Sequence, residues 1–124
     1  TQILCAEFFN RGLFEPHLKL IRDIHLERRD VMMDCIKTML PEGVKYVYPD
    51  GGLFTWVELP EQVDTAEMLA DAKAQKVAYV PGREFFVEGQ PIRNNGMRVC
   101  FGSVTPDKIQ IGMERLAKVI RSKL

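Results

Sequence analysis

Val44-Lys45-Tyr46-Val47-Tyr48-Pro49-Asp50-Gly51-Gly52-Leu53-Phe54-Thr55-Trp56-Val57-Glu58-Leu59-Pro60 is two apolar runs joined by a Pro-Asp-Gly-Gly turn and closed by a proline. The first run, Val44 to Tyr48, has the β-branched and aromatic content of a strand. In the second, Leu53, Thr55, Val57 and Leu59 fall on one face and Phe54, Trp56 and Glu58 on the other, the period of two that a pleated strand imposes. Proline presets one turn dihedral and glycine permits the others, so the chain reverses here and the two runs read as an antiparallel pair.

Upstream the period lengthens. Leu18, Ile21, Ile24, Arg28, Met32, Ile36 and Met39 recur at three- and four-residue steps, one stripe on a helix from about Glu15 to Leu40. Arg22, Glu27, Arg29, Asp34 and Lys37 lie opposite, and Pro41 and Gly43 end the helix. At about 1.5 Å per residue it spans roughly 40 Å, more than this domain needs, and it reads as a strut between two domains. The residues before it are mostly apolar and are broken from it by Gly12. They read as the tail of an element of something larger.

Downstream, Asp64 with Glu67 makes a capping-box-like start for a helix over Thr65–Gln75 that buries Ala66, Leu69 and Ala70, with Ala72 beside them. Val77–Val80 reads as a short strand stopped by Pro81-Gly82, Glu84–Val87 as a further short strand, Gly89–Gly96 as a polar loop and Met97–Phe101 as a strong strand. Thr105 with Pro106 opens the last helix, whose stripe is Ile109, Met113, Leu116, Ala117 and Ile120. Arg121 and Lys123 suit the negative end of its dipole. A local hairpin combined with helical crossovers predicts an α+β fold: a three- to four-stranded sheet with helices on one face, preceded by the long helix.

Composition excludes several classes. Seventeen basic and seventeen acidic residues cancel, and no basic patch appears, which argues against a nucleic-acid partner and a polybasic membrane contact. No apolar run approaches the roughly 18 residues of a membrane span. The first ten residues lack the charged and apolar regions of a signal peptide. At 46% hydrophobic residues the chain can build a core. Cys5, Cys35 and Cys100 fit neither a zinc pattern nor a disulfide framework and read as buried thiols in a reducing compartment.

The common catalytic signatures are missing: GxGxxG, the Walker A loop, HExxH, CxxC and GxSxG do not occur. His17 and His25 share a helix with no carboxylate completing a metal set. Arg98 is the anomaly, a cation inside the apolar run Met97-Val99-Cys100-Phe101. By alternation it shares a face with Cys100 and Gly102, small neighbours that leave room for a ligand. A guanidinium on a rigid strand suits bidentate capture of a carboxylate or phosphate; the alternative is an arginine on the wet side of a half-exposed strand. In Val80-Pro81-Gly82-Arg83-Glu84-Phe85-Phe86, a Pro-Gly corner can bring backbone close to a ligand with a phenylalanine as its wall, or it is a turn with core aromatics. Trp56 reads as a core anchor.

In order, Glu27-Arg28-Arg29-Asp30, Leu40-Pro41-Glu42-Gly43, Pro49 to Trp56, Leu59-Pro60, Val77-Ala78-Tyr79-Val80-Pro81-Gly82, Phe85 and Met97-Arg98-Val99-Cys100-Phe101 closely resemble the C-terminal part of class I/II, fold-type I aminotransferases. The resemblance is nearest to the aminoadipate, kynurenine and aromatic aminotransferase branch. It implies residues 1–14 as a remnant of a large domain or linker, 15–41 as the connecting helix and 42–124 as the small domain. It implies pyridoxal phosphate as cofactor, amino acids and 2-oxo acids as substrates, a cytoplasmic homodimer with sites at the subunit interface, and transfer of an amino group between the two substrates. Arg98 would pair with the substrate carboxylate, with Gly82 and Phe85 at the mouth of the site. No residue of this chain is expected to be catalytic or to bind cofactor or metal. The lysine, phosphate-binding segment and aspartate that hold the cofactor belong to the large domain in this family, so this chain alone is expected to be inactive. Lys76 departs from the family by replacing a glycine after the helix. The alternatives are the ligand-sensing part of a GntR/MocR-type transcription regulator, or a free-standing binding module.

Overall fold

The hairpin at Pro49–Gly52 is present in the computed structural model, which describes residues 1–124. Strands β1 (Lys45–Tyr46) and β2 (Phe54–Glu58) pair antiparallel, with Tyr46 opposite Val57. β2 also pairs antiparallel with β4 (Gly96–Cys100), placing Trp56 opposite Arg98, and β4 pairs with the edge strand β3 (Val80–Pro81). The sheet order is β1-β2-β4-β3.

Alternation then sorts the side chains. Thr55, Val57 and Leu59 of the β2 segment and Met97, Val99 and Phe101 of the β4 segment are buried on one face. Helices α2 (Phe14–Met39), α3 (Thr65–Ala74) and α4 (Pro106–Arg121) supply the rest of a single core over that face. Each fully buried apolar side chain there, such as Val57, Met97 or Ile120, contributes about 1.5–3 kcal/mol relative to exposure.

α4 buries Ile109, Met113, Leu116, Ala117 and Ile120, as its stripe predicts, and Val119 besides. Its N-cap Thr105 has the extended backbone of a cap but makes no side-chain capping bond. Instead the Thr105 hydroxyl, with neighbouring amides and Lys108, holds the Asp107 carboxyl below its ordinary range. In α2 only the last third is buried: Met32, Met33, Cys35 and Ile36. Leu18, Ile21 and Ile24, on the same stripe, are only half-buried. Residues before α2 form their own helix, α1 (Gln2–Asn10), and none of its residues is buried.

α3 departs from its expected face. Thr65, Met68 and Ala72 are buried, while Ala66 and Leu69 are half-buried and Ala70 is exposed. Polar anchors set the rotation. The Thr65 hydroxyl shares its proton between the carbonyls of Asn94 (2.9 Å) and Gly96 (2.7 Å), and the Tyr79 hydroxyl donates to the Thr65 carbonyl. Burial, and then the nearby Asp64 and Asp71, push the Tyr79 phenol well above its usual range. An alanine-rich helix has too weak an apolar stripe to oppose these bonds. Its N-terminus is as expected: the Asp64 carboxylate accepts from the amides of Ala66 (2.8 Å) and Glu67 (3.2 Å).

The C-terminus of α3 closes in a Schellman motif. Val77 N–H donates to the Ala72 carbonyl (3.0 Å) and Lys76 N–H to the Lys73 carbonyl (2.9 Å). Lys76 takes the left-handed position that the motif requires, φ 59°, and no other non-glycine residue has positive φ. That conformation costs a side-chain-bearing residue about 1–2 kcal/mol, part of which glycine returns as unfolded-state entropy. Lys76→Gly is therefore expected to stabilise the chain by about 0.5–1 kcal/mol, read as a raised midpoint in denaturant. An unchanged or lowered midpoint would show that the lysine side chain offsets the strain.

Four other expectations are corrected. β3 is confined to Val80–Pro81, with the Val77 N–H committed to the end of α3, and Glu84–Val87 is no strand: Gly82–Phe85 is a turn of 3-10 helix. Trp56 does not anchor the core; it lies half-buried on the opposite face of the sheet. Only Cys35 is a buried thiol, its pKa raised mainly by burial, whereas Cys5 and Cys100 are exposed. Cys5 rides on the unburied α1 and Cys100 points away from the core. No helix is long and apolar enough to cross a membrane.

Candidate carboxylate-binding site

The sheet face turned away from the helices carries Arg98. Its guanidinium carbon lies 4.0 Å from the Phe54 ring centre and 5.0 Å from that of Phe85. The small neighbours expected from alternation along β4 are thus only part of its surroundings, because β2 and the 3-10 turn bring aromatic rings. Trp56, opposite Arg98 in the register, meets Phe85 edge-on at 5.8 Å and donates its indole N–H to Glu58 (3.2 Å).

Two glycines make room for that indole. A Cβ on Gly96 would stand 2.4 Å from the Trp56 ring. One on Gly82 would stand 2.6 Å from the Gly96 carbonyl oxygen and 3.0 Å from Trp56. Gly82 is therefore required for close approach: it lets the turn carrying Phe85 lie against β4, which is how that ring reaches Arg98. Of the three residues expected at the site, Phe85 lies beside Arg98, and Gly82 lies against Gly96 and Trp56 of the neighbouring strands.

Several arginines have acceptors in the protein, while Arg22, Arg93 and Arg115, like Arg98, have none. Arg28 donates to the Gly102 carbonyl, Arg121 to the Met39 carbonyl, and Arg29 pairs with Asp30 at 2.8 Å. Arg98 is half-buried and makes neither a hydrogen bond nor an ion pair; its only close partners are ring faces. A cation held over ring faces spends no N–H donor on them, which leaves the donors of Arg98 available for a bidentate bond to a planar carboxylate.

Sequence reasoning missed Phe54 and Trp56 as walls of this site. Alternation puts both on the face opposite Val57, but only the pairing of β2 with β4 makes them neighbours of Arg98. The two histidines do not join the site: the His17 ring packs edge-on against Phe8 at 5.7 Å, and His25 lies further along the same helix with its Nδ1 buried and unpartnered. No three His, Cys, Asp or Glu side chains gather at metal-binding distance. A separate, mostly apolar cleft of about 470 Å³ runs between α4, Met32 and Val77–Ala78, and it contains none of the three site residues.

A helix-backed antiparallel sheet with an arginine between two phenylalanine rings on its open face defines an α+β domain with a candidate carboxylate site. The sequence profile described as aminotransferase class I and II matches residues 1–116, and the chain belongs to that family. Aromatic-amino-acid aminotransferase 1 of Thermococcus litoralis is 37% identical over 124 residues, all of this chain and 29% of that protein. The crystal structure of Pyrococcus horikoshii kynurenine aminotransferase, in complex with PMP, KYN as substrate and KYA as product, superposes with a TM-score of 0.91 at 39% identity, covering 99% of this chain and 30% of that one. The HTH-type transcriptional regulator TauR of Rhodobacter capsulatus is 28% identical over 118 residues, 94% of this chain and 24% of the regulator. The chain thus spans less than a third of the length of the relatives it matches.

Proposed function

We propose that this chain is the substrate-carboxylate-binding small domain of a pyridoxal phosphate-dependent aminotransferase acting on amino acids and 2-oxo acids. In this reading residues 42–124 are the small domain, 15–41 the connecting helix and 1–14 part of the adjoining body. The observation that carries it is Arg98, braced between Phe54 and Phe85 with no protein acceptor for its N–H groups. Arg98 binds and orients the α-carboxylate, Phe85 forms an apolar wall and Gly82 holds that wall against β4.

The residues around Arg98 do not fit the cofactor. Lys45 is the only lysine in the strands, and it lies opposite Glu58 on β1, two strands from β4. No hydroxyl side chain or helix N-terminus faces Arg98 from β2, β3 or the 3-10 turn. In transamination the cofactor supplies an electron sink; here the chain's own contribution is substrate position, which lowers the entropic part of the barrier. A separate lysine-bearing body is needed, and the unburied faces of α1 and early α2 offer it a surface: Ile3 is 85% and Leu4 74% exposed. Incubated with pyridoxal phosphate and reduced with borohydride, the 124-residue chain is expected to yield no stoichiometric lysine adduct by mass spectrometry; a single modified lysine would sink this division of labour.

The TauR match favours one second reading, in which the same site senses an amino acid behind a DNA-binding head. Amino-group transfer to 2-oxoglutarate, assayed in the protein that carries this chain beside a lysine-bearing domain, separates the two. Turnover supports the aminotransferase. Ligand binding without turnover would leave the sensor.

A further inference from the structure

We propose that Phe54 is a positioning residue for Arg98, holding the guanidinium so that its donors meet a carboxylate edge-on. The inference rests on the carboxylate-binding reading of Arg98 and names what makes that arginine competent.

Phe54 is 41% exposed at the start of β2, on the face without helices, and it packs against no other aromatic ring. Its place in a core therefore does not explain it. Its register partner is Cys100, which makes Arg98 its diagonal neighbour, within reach of an aromatic side chain. The ring centre lies 4.0 Å from the guanidinium carbon, closer than that of Phe85. A free arginine side chain samples many rotamers, and each one that turns the fork aside weakens bidentate binding. A ring face limits them without consuming a donor, whereas a carboxylate brace would have occupied the edge that the substrate needs.

The backbone under Phe54 is fixed for the same purpose. Phe101 N–H donates to the Leu53 carbonyl (2.9 Å), extending the ladder beyond Phe54. The Leu53 side chain lies over Gly102, where a Cβ would come within 2.8 Å of it. Arg28 of α2 in turn grips the Gly102 carbonyl. The start of β2 is thus tied to the segment after β4, which the long helix holds in turn, so Phe54 approaches Arg98 from a backbone bonded on that side.

The test uses the 124-residue chain, nitrogen-15 labelled, and propionate as the probe. The Arg98 Nε–H signal is assigned by its loss in Arg98→Lys, and propionate affinity is read by titration. In the unaltered chain the Arg98 signal is expected to carry a ring-current shift and to move on adding propionate. Phe54→Leu is expected to lose most of that shift and weaken propionate binding about tenfold, with an unchanged unfolding midpoint. Phe54→Tyr, which keeps the ring, is expected to retain both. A lost ring-current shift with unchanged propionate affinity would overturn the positioning role while leaving Arg98 as the carboxylate site. Propionate binding that is equal in Arg98→Ala and the unaltered chain would overturn the carboxylate reading itself, and this proposal with it.

Discussion

On the proposed function, Arg98→Ala in a protein that carries this chain beside a cofactor-bearing domain is expected to raise KM for the amino acid about a hundredfold while cofactor retention stays unchanged. The magnitude follows from the bonds between guanidinium and carboxylate that alanine cannot make. Hydrogen bonds to a charged group contribute about 1.5–3 kcal/mol each, and a hundredfold in affinity is about 2.7 kcal/mol. Because the α-carboxylate is present in both ground and transition states, most of the loss falls on KM, with a smaller loss in kcat from misorientation. Arg98→Lys is expected to recover little of it, since an ammonium keeps the charge but loses the fork and the stacking. Stability separates this from a structural role. Arg98 has no hydrogen bond or ion pair within the chain to lose, only its two ring contacts, so the alanine variant is expected to unfold within about 1 kcal/mol of the original. An unchanged KM would remove Arg98 from the site; a collapse in stability would make it a structural residue.

Arg98 also shows what could be read in the sequence. A cation interrupting Met97-Val99-Phe101 announces itself, because alternation alone assigns it to the face opposite three core residues. The α4 stripe and the Asp64 cap were legible for the same reason: each is decided by residues within one or two turns. What was not legible depends on distant partners. Phe54 becomes a brace only when β2 pairs with β4 in one particular register. The rotation of α3 is decided by carbonyls of Asn94 and Gly96, some thirty positions away. Trp56 looks like a core residue by size, and the opposite-face alternation of the same strand contradicts that; the alternation was the better guide. Gly82 lies between these cases. A Pro-Gly corner is visible in the sequence, but what the glycine avoids is visible only once Gly96 is seen against it.

Gly82→Ala is accordingly expected to destabilise the chain by about 3 kcal/mol, of which overpacking accounts for about 1–3 and a weakened hydrogen bond for about 1. The new Cβ would stand 2.6 Å from the Gly96 carbonyl oxygen and 2.9 Å from its carbonyl carbon. Both are backbone atoms, and neither strand can yield cheaply. Moving β3 breaks the pairing of Pro81 with Met97, and moving the Gly96 carbonyl loosens the Thr65 hydroxyl bond that sets the rotation of α3. For a chain of this length the loss corresponds to a fall in Tm of about 10 °C. Gly96→Ala supplies the contrast. Its Cβ would lie 2.4 Å from the Trp56 indole, a tighter clash, but against a half-buried side chain that can swing toward solvent. Its cost in stability is expected to be smaller, about 1–2 kcal/mol, while its effect on the site is larger. A displaced indole takes Phe85 with it and unclamps one side of Arg98. Trp56 is the only tryptophan in the chain, so its emission reports that displacement directly. The expected pattern is a large Tm loss for Gly82→Ala and a large spectral change for Gly96→Ala. A Gly82→Ala variant melting within about 2 °C of the original would show that β3 and the 3-10 turn can shift off β4, and the Phe85 wall would then be mobile.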